Sequence, residues 1–351
     1  MKTDFNINSI IRDNIKKLKP YSSARDEYKD ASAFNMIFLD ANENPFENGV
    51  NRYPDPQQNL VKDELSKIKE IPKENILLGN GSDEVLDLIF RAFCEPYKDN
   101  IITLPPTYGM YGVLADLNAI ENRQVLLSNQ FQPKTDEILA KVDSNSKILF
   151  LCSPNNPSGN SFSKEKVEYL LDRFNGLVVL DEAYIDFSTQ KSWLAKLEKY
   201  PNLIITQTLS KAYGMAGIRL GICYASKDII QILNNIKPPY NINSLTQQKA
   251  LNRLQNYSEI SNEISQIISE RKRLKKELEC CVNYIEKVYE SDANFLLIKV
   301  DDANKRYQEL IEYGVVIRNR TTQPLCENCL RISVGICEEN QVLIRALKAI
   351  Q

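Results

Sequence analysis

Four short segments carry the residue types that could do chemistry, and each follows an apolar run. Ser210-Lys211-Ala212-Tyr213-Gly214-Met215-Ala216-Gly217-Ile218-Arg219-Leu220-Gly221 comes directly after the strand-like Leu203-Ile204-Ile205-Thr206-Gln207-Thr208-Leu209. A lysine at the carboxyl end of a buried strand, in a loop of small residues, can meet a ligand closely and serve as a nucleophilic amine. Taken alone, the segment is equally an ordinary surface lysine in a Gly-rich turn. Asp181-Glu182-Ala183-Tyr184 ends a second apolar run, Gly176-Leu177-Val178-Val179-Leu180, so a carboxylate and a phenol emerge thirty positions before Lys211. A carboxylate at a buried strand end is costly unless a cation meets it, and a protonated pyridine nitrogen is such a cation. A helix N-cap is the plainer use of the same aspartate.

Cys152-Ser153-Pro154-Asn155-Asn156-Pro157-Ser158-Gly159 ends a third strand in a turn rich in Asn, Pro and Gly, which offers Asn156 as a ligand beside the other polar strand ends. Gly79-Asn80-Gly81-Ser82-Asp83-Glu84 follows a fourth apolar run and opens an apolar helix. Free N–H groups at such a start can hold an anion, although a plain capped helix fits too, and the spacing is not the GxGxxG of a dinucleotide fold. The chain contains no histidine. That excludes Ser-His-Asp and Cys-His nucleophile systems, His-ligated metals and imidazole acid–base catalysis, so proton transfer falls to Lys, Asp, Glu, Tyr, Cys or a cofactor. Cys326 and Cys329 form a single CxxC with no second pair to complete four ligands, and no metal site is expected.

The elements that must position these residues alternate. From about Leu60 to Tyr224 short apolar strands (NILLG, NIITL, SKILFLCS, GLVVLDEA, NLIITQTLS, GICYA) are interleaved with amphipathic helices (VKDELSKI, SDEVLDLIFRAFC, YGMYGVLADLN, SKEKVEYLLDRF). Near-continuous apolar strands imply burial on both faces, hence an α/β domain with a mostly parallel sheet and active residues at the strands' carboxyl ends. After Pro238-Pro239 come a long charged helix (NEISQIISERKRLKKELEC), the strand NFLLIKV, a helix near DANKRYQELIEYG, the strands VVIRNR and CLRISVG, and a final helix. These read as a smaller α+β domain. The division expected is an N-terminal arm over residues 1–28, a large domain over 29–245 and a small domain over 246–351.

A chain of 351 residues, 43% hydrophobic, can bury such a core. Its 44 basic and 46 acidic residues are intermixed, which gives no electrostatic footprint for nucleic acid or an anionic membrane and leaves small-molecule chemistry as the default. The N-terminal stretch lacks the apolar region of a signal peptide, and no run reaches the ~18 apolar residues of a membrane span. The expectation is a cytoplasmic protein with its eight cysteines as free thiols.

SPNNPSG, DEAY and SKAYGMAGIRLG together resemble the signatures of the fold type I pyridoxal-phosphate-dependent aminotransferases. Pro20-Tyr21-Ser22-Ser23-Ala24-Arg25, Leu39-Asp40-Ala41-Asn42-Glu43-Asn44-Pro45, Arg52-Tyr53-Pro54-Asp55-Pro56, Pro105-Pro106-Thr107-Tyr108-Gly109-Met110-Tyr111 and Leu330-Arg331-Ile332-Ser333-Val334-Gly335 are similar to the histidinol-phosphate aminotransferase family in particular, over nearly the whole chain. The resemblance implies a large domain with a mostly parallel seven-stranded sheet. It makes Lys211 the Schiff-base lysine for pyridoxal 5'-phosphate and Asp181 the partner of the pyridine nitrogen, with Asn156 and Tyr184 on the ring hydroxyl and Tyr108 stacked on the ring. Ser82, Asp83, Ser210 and Arg219 would hold the cofactor phosphate, joined by Tyr53 from a second subunit, so that a homodimer shares its active sites. Arg331, with Arg318 on the preceding strand and Tyr21 nearby, would bind the substrate's anionic group, Tyr53 and Asn156 also bordering the substrate. The implied reaction is amino transfer from L-histidinol phosphate to 2-oxoglutarate, giving imidazole-acetol phosphate and glutamate. Threonine-phosphate decarboxylation, aromatic amino-acid transamination and a non-catalytic cofactor-binding regulator are the other readings.

Overall fold

The computed structural model describes residues 5–20 and 37–350. Seven strands build the larger sheet: β1 (Ile76–Asn80), β2 (Asn100–Thr103), β3 (Glu121–Gln124), β4 (Ser146–Cys152), β5 (Leu177–Asp181), β6 (Leu203–Thr208) and β7 (Leu220–Tyr224), in spatial order β1-β7-β6-β5-β4-β2-β3. The run from β3 through β2, β4 and β5 to β6 is parallel, as the apolar strands predict. β7 is the exception: it runs antiparallel to both β6 and β1. Its reversal is what brings the start of β7 and the end of β1 to the same edge as the carboxyl ends of β4, β5 and β6.

Side-chain alternation divides each strand between two cores. Leu78, Ile102, Leu149, Leu151, Leu180, Ile205 and Ile222 pack into one, Leu77, Ile101, Ile148, Phe150, Val179, Ile204 and Cys223 into the other. Amphipathic helices cover them; that at Gly81–Phe93 buries Val85, Leu86, Ile89, Phe90 and Phe93. β3 is a correction to the sequence reading. Its residues Glu-Asn-Arg-Gln carry no apolar signal, because an edge strand with exposed side chains is specified by its backbone ladder to β2 and not by burial.

The second sheet has four antiparallel strands in the order β10-β11-β9-β8: β8 (Ile285–Val288), β9 (Phe295–Val300), β10 (Arg318–Asn319) and β11 (Cys329–Ser333). Leu296, Ile298, Leu330 and Ile332 meet Leu343 and Leu347 of the helix Cys337–Ala349 in a third core. The long helix Tyr257–Cys281 joins both parts: Ile260 packs into the larger sheet's core, Leu274 and Leu278 into the smaller one's. VVIRNR, expected as a longer strand, is regular over only two residues, Arg318–Asn319. No described helix is long and apolar enough to cross a membrane, and the described cysteines are free thiols.

Candidate active site

Register aligns the site. Cys152 pairs with Asp181 across β4 and β5, Asp181 with Thr206 across β5 and β6, and Thr208 with Gly221 across β6 and β7. Lys211 follows three residues after β6 ends, and Asn156 four after β4, so short turns deliver both to one edge. There Ser82, Asp83, Tyr108, Asn156, Asp181, Tyr184, Ser210, Lys211 and Arg219 line a cavity of about 90 Å³. A wider cleft along Asp55, Lys62, Lys73 and Lys227 contains none of the predicted residues.

Asp181 forms the floor. It is 3% exposed, and its oxygens accept from the Tyr111 hydroxyl at 2.7 Å and from the Ala183 N–H at 3.1 Å. Burial raises its carboxyl, and the Tyr111 and Ala183 donors oppose that rise. Among the described residues no lysine or arginine forms an ion pair with it. Lys211 extends into the same cavity with its amine 5.7 Å from the centre of the Tyr184 ring. Loss of water lowers its proton affinity first, and the positive charges of Arg331 and Arg219 add to that, while Asp181 opposes.

At the opposite end, β7 crosses so closely behind the start of the helix Gly81–Phe93 that a Cβ on Gly221 would collide with the backbone of Gly81 and Ser82. Gly81 itself has φ +76°, a left-handed turn that only glycine adopts without strain, with the Arg219 guanidinium against it. Arg219 lies 3.5 Å from the Ser210 hydroxyl and 3.7 Å from the Asp83 carboxylate, and the Tyr108 hydroxyl donates to Asp83 at 3.0 Å. The Ser82 and Ser210 hydroxyls and the Arg219 guanidinium, which Asp83 partly neutralises, thus border one end of the cavity beside a helix start, a setting that can hold a phosphate.

The second sheet brings an arginine against Asn156, one of the residues that line the cavity. Arg331 donates to the Asn156 side chain, and its guanidinium lies 5.2 Å from the Phe295 ring centre. Its Nε is buried without a partner, and no described carboxylate pairs with it. Arg318 is directly opposite Arg331 in the β10–β11 ladder but exposed. Arg320, which the sequence reading passed over, continues that ladder through its N–H to the Cys329 carbonyl. Burial, together with Arg331 and Arg318, depresses Arg320 to about 10. The signal for it was available in the segment VVIRNR, where it stands two positions after Arg318. Tyr111, spaced i, i+3 from Tyr108, was quoted in a motif and given no role, as was Cys152, which also lines the cavity. Tyr53 does not line this chain's own cavity; it stacks on Tyr240 with centroids 4.5 Å apart. Tyr21 lies outside the described residues.

A profile of the aminotransferase class I and II family matches residues 31–347. The histidinol-phosphate aminotransferase of Flavobacterium johnsoniae is 67% identical over 98% of both chains, and that of Bacteroides thetaiotaomicron is 53% identical over the full length of both. This chain belongs to the histidinol-phosphate aminotransferase family. Among solved structures, the histidinol-phosphate aminotransferase of Clostridium acetobutylicum superimposes with a TM-score of 0.79 at 25% identity, over 86% of this chain and 91% of that one. The Sinorhizobium meliloti enzyme in complex with pyridoxal 5'-phosphate superimposes at 0.77 with 23% identity, covering 85% and 82%, which bears on the fold.

As a member of this family the protein is a pyridoxal-phosphate-dependent transaminase. The cavity fits that cofactor on the evidence of its own donor set. A buried carboxylate with no described cation partner suits a ring N–H⁺, an amine with weakened proton affinity suits an aldehyde, and the Ser82–Ser210–Arg219 cradle suits a phosphate.

Proposed function

We propose that this enzyme moves the amino group of L-histidinol phosphate to 2-oxoglutarate, releasing imidazole-acetol phosphate and glutamate. The observation that carries the reading is a buried Asp181 with no described cation partner, which lines one cavity with Lys211 and with Asn156, the residue that accepts from Arg331, an arginine with no described carboxylate partner.

When bound, pyridoxal phosphate supplies an electron sink that lets a Cα–H bond of the substrate amine break with its electrons retained. Asp181 would place a negative charge against the ring nitrogen. Ser82, Ser210 and Arg219 hold the cofactor phosphate, Asp83 orienting Arg219 and the Tyr108 hydroxyl. Asn156 and Tyr184 would serve the ring hydroxyl, and Tyr108 would cover the ring. In a chain without histidine, Lys211 would be the base, its weakened proton affinity letting it accept the proton from the substrate Cα. Arg331 fixes the phosphate of histidinol phosphate in one half-reaction and a carboxylate of glutamate in the other, a fork of donors suited to both. Arg318 adds positive charge from the adjacent strand.

The working unit is a homodimer in which Tyr53 completes the partner's phosphate site. Support comes from the apolar surface of the segment that carries it, where Ile37, Leu39 and Phe46 are each more than three-quarters exposed. A threonine-phosphate decarboxylase from Porphyromonas gingivalis has the same fold, with a TM-score of 0.72 at 23% identity, so the substrate must be tested directly. Incubation with histidinol phosphate, threonine phosphate and phenylalanine in turn should transfer nitrogen to 2-oxoglutarate most efficiently from the first. Carbon dioxide release from threonine phosphate without amino transfer would overturn the reading.

A further inference from the structure

The side chain behind Asp181 has no part in the reaction as described so far. Tyr111 is fully buried. Its ring is held on two sides, stacked on Phe150 with centroids 4.7 Å apart and planes 14° apart, and set edge-on to Tyr108 at 5.6 Å and 85°. Phe150 stacks in turn on Phe90 at 5.4 Å. The phenol therefore cannot swing, and its hydroxyl meets Oδ2 of Asp181 at 2.7 Å while the Ala183 N–H meets Oδ1. Thr206 and Cys152 also border this corner. A hydroxyl that donates to a carboxylate favours its charged form and fixes its rotation about Cβ–Cγ. Two acceptor directions are used by Tyr111 and Ala183, and those that remain open are the ones available to an incoming cation.

We propose that Tyr111 is a positioning residue that keeps Asp181 ionised and aimed at the cofactor's ring nitrogen; this rests on the reading that Asp181 meets that nitrogen. The edge-on contact with Tyr108 gives Tyr111 a second, purely steric influence on the ring site. The test must separate the two.

Equilibrium binding to the cofactor-free protein does so, using pyridoxal phosphate and its 1-deaza analogue, in which carbon replaces the ring nitrogen. Tyr111→Phe retains the ring and its stacking, and the melting temperature of the cofactor-free variant reports its folding. Loss of one charge-assisted hydrogen bond should weaken pyridoxal phosphate by on the order of 10-fold and leave the deaza analogue unchanged to within about twofold, or tighter. Asp181→Asn should give the same discrimination with a larger loss. Equal weakening of both ligands by Tyr111→Phe would make Tyr111 a packing residue only, and no weakening of either would leave it without a role; both overturn the proposal while Asp181→Asn still discriminates. If Asp181→Asn itself fails to discriminate, the assignment of Asp181 falls, and the role of Tyr111 with it.

Discussion

Arg331→Leu separates anion recognition from a role in the fold. In the structure this guanidinium makes one side-chain hydrogen bond, to Asn156, has a buried Nε without a partner, and has no described carboxylate against it. Its donors are thus largely available to a substrate. A charge-assisted hydrogen bond contributes about 1.5 to 3 kcal/mol, which corresponds to roughly 10- to 100-fold or more in kcat/KM. Arg318, paired with Arg331 across β10 and β11, and Arg320 beside them retain part of the positive charge, which keeps the loss from being total. The assay is steady-state kinetics with histidinol phosphate, glutamate and L-histidinol, the last lacking any anionic group. The first two should lose about 10- to 100-fold in kcat/KM and histidinol little. Equal losses with all three would mean that Arg331 supports the β11 strand and not the substrate, and the phosphate assignment would have to be withdrawn.

Lys211→Ala should give a folded protein that no longer captures the cofactor covalently, seen as absence of the lysine-bound visible absorbance and of transamination; turnover above a trace would remove Lys211 from its role. In the cofactor-free enzyme only the neutral amine attacks an aldehyde, and Lys211 is held below the usual 10.5, first by loss of water and next by Arg331. The rate of cofactor capture should therefore rise with pH through a midpoint below 10.5, and Arg331→Leu, by removing a positive neighbour, should move that midpoint upward. Gly221→Ala drives a Cβ into the backbone at Gly81 and Ser82, which should cost about 1 to 3 kcal/mol in urea denaturation and loosen the phosphate cradle; unchanged stability and unchanged cofactor affinity would contradict the close crossing of β7. Mixing Tyr53→Phe with Lys211→Ala subunits should produce activity above the mean of the two parents, since the hybrid regains one unaltered site, whereas activity equal to that mean would mean that Tyr53 acts within its own chain or not at all.

The apolar runs, their lengths and the polar residues at their ends were legible locally, because burial on both faces imposes a continuous Val/Ile/Leu pattern that needs no knowledge of neighbours. Lys211, Asp181, Asn156 and Ser82 could be found in this way, each sitting just past such a run. What the sequence could not carry was adjacency. That Cys152, Asp181 and Thr206 lie side by side depends on the strand order, and the reversal of β7 that brings Arg219 and Gly221 against Ser82 has no local signal. The polar edge strand Glu121–Gln124 was invisible for the complementary reason, that its place is set by backbone pairing and not by side-chain burial. Tyr111 and Arg320 show the same limit at the site. A tyrosine on an amphipathic helix reads as core, and an arginine in a short strand reads as surface. Only the packed structure decides that one donates to a buried carboxylate 70 residues away, and that the other stands with two arginines and no acid among the described residues, because the first needs a helix brought against a distant strand and the second needs β10 paired with β11.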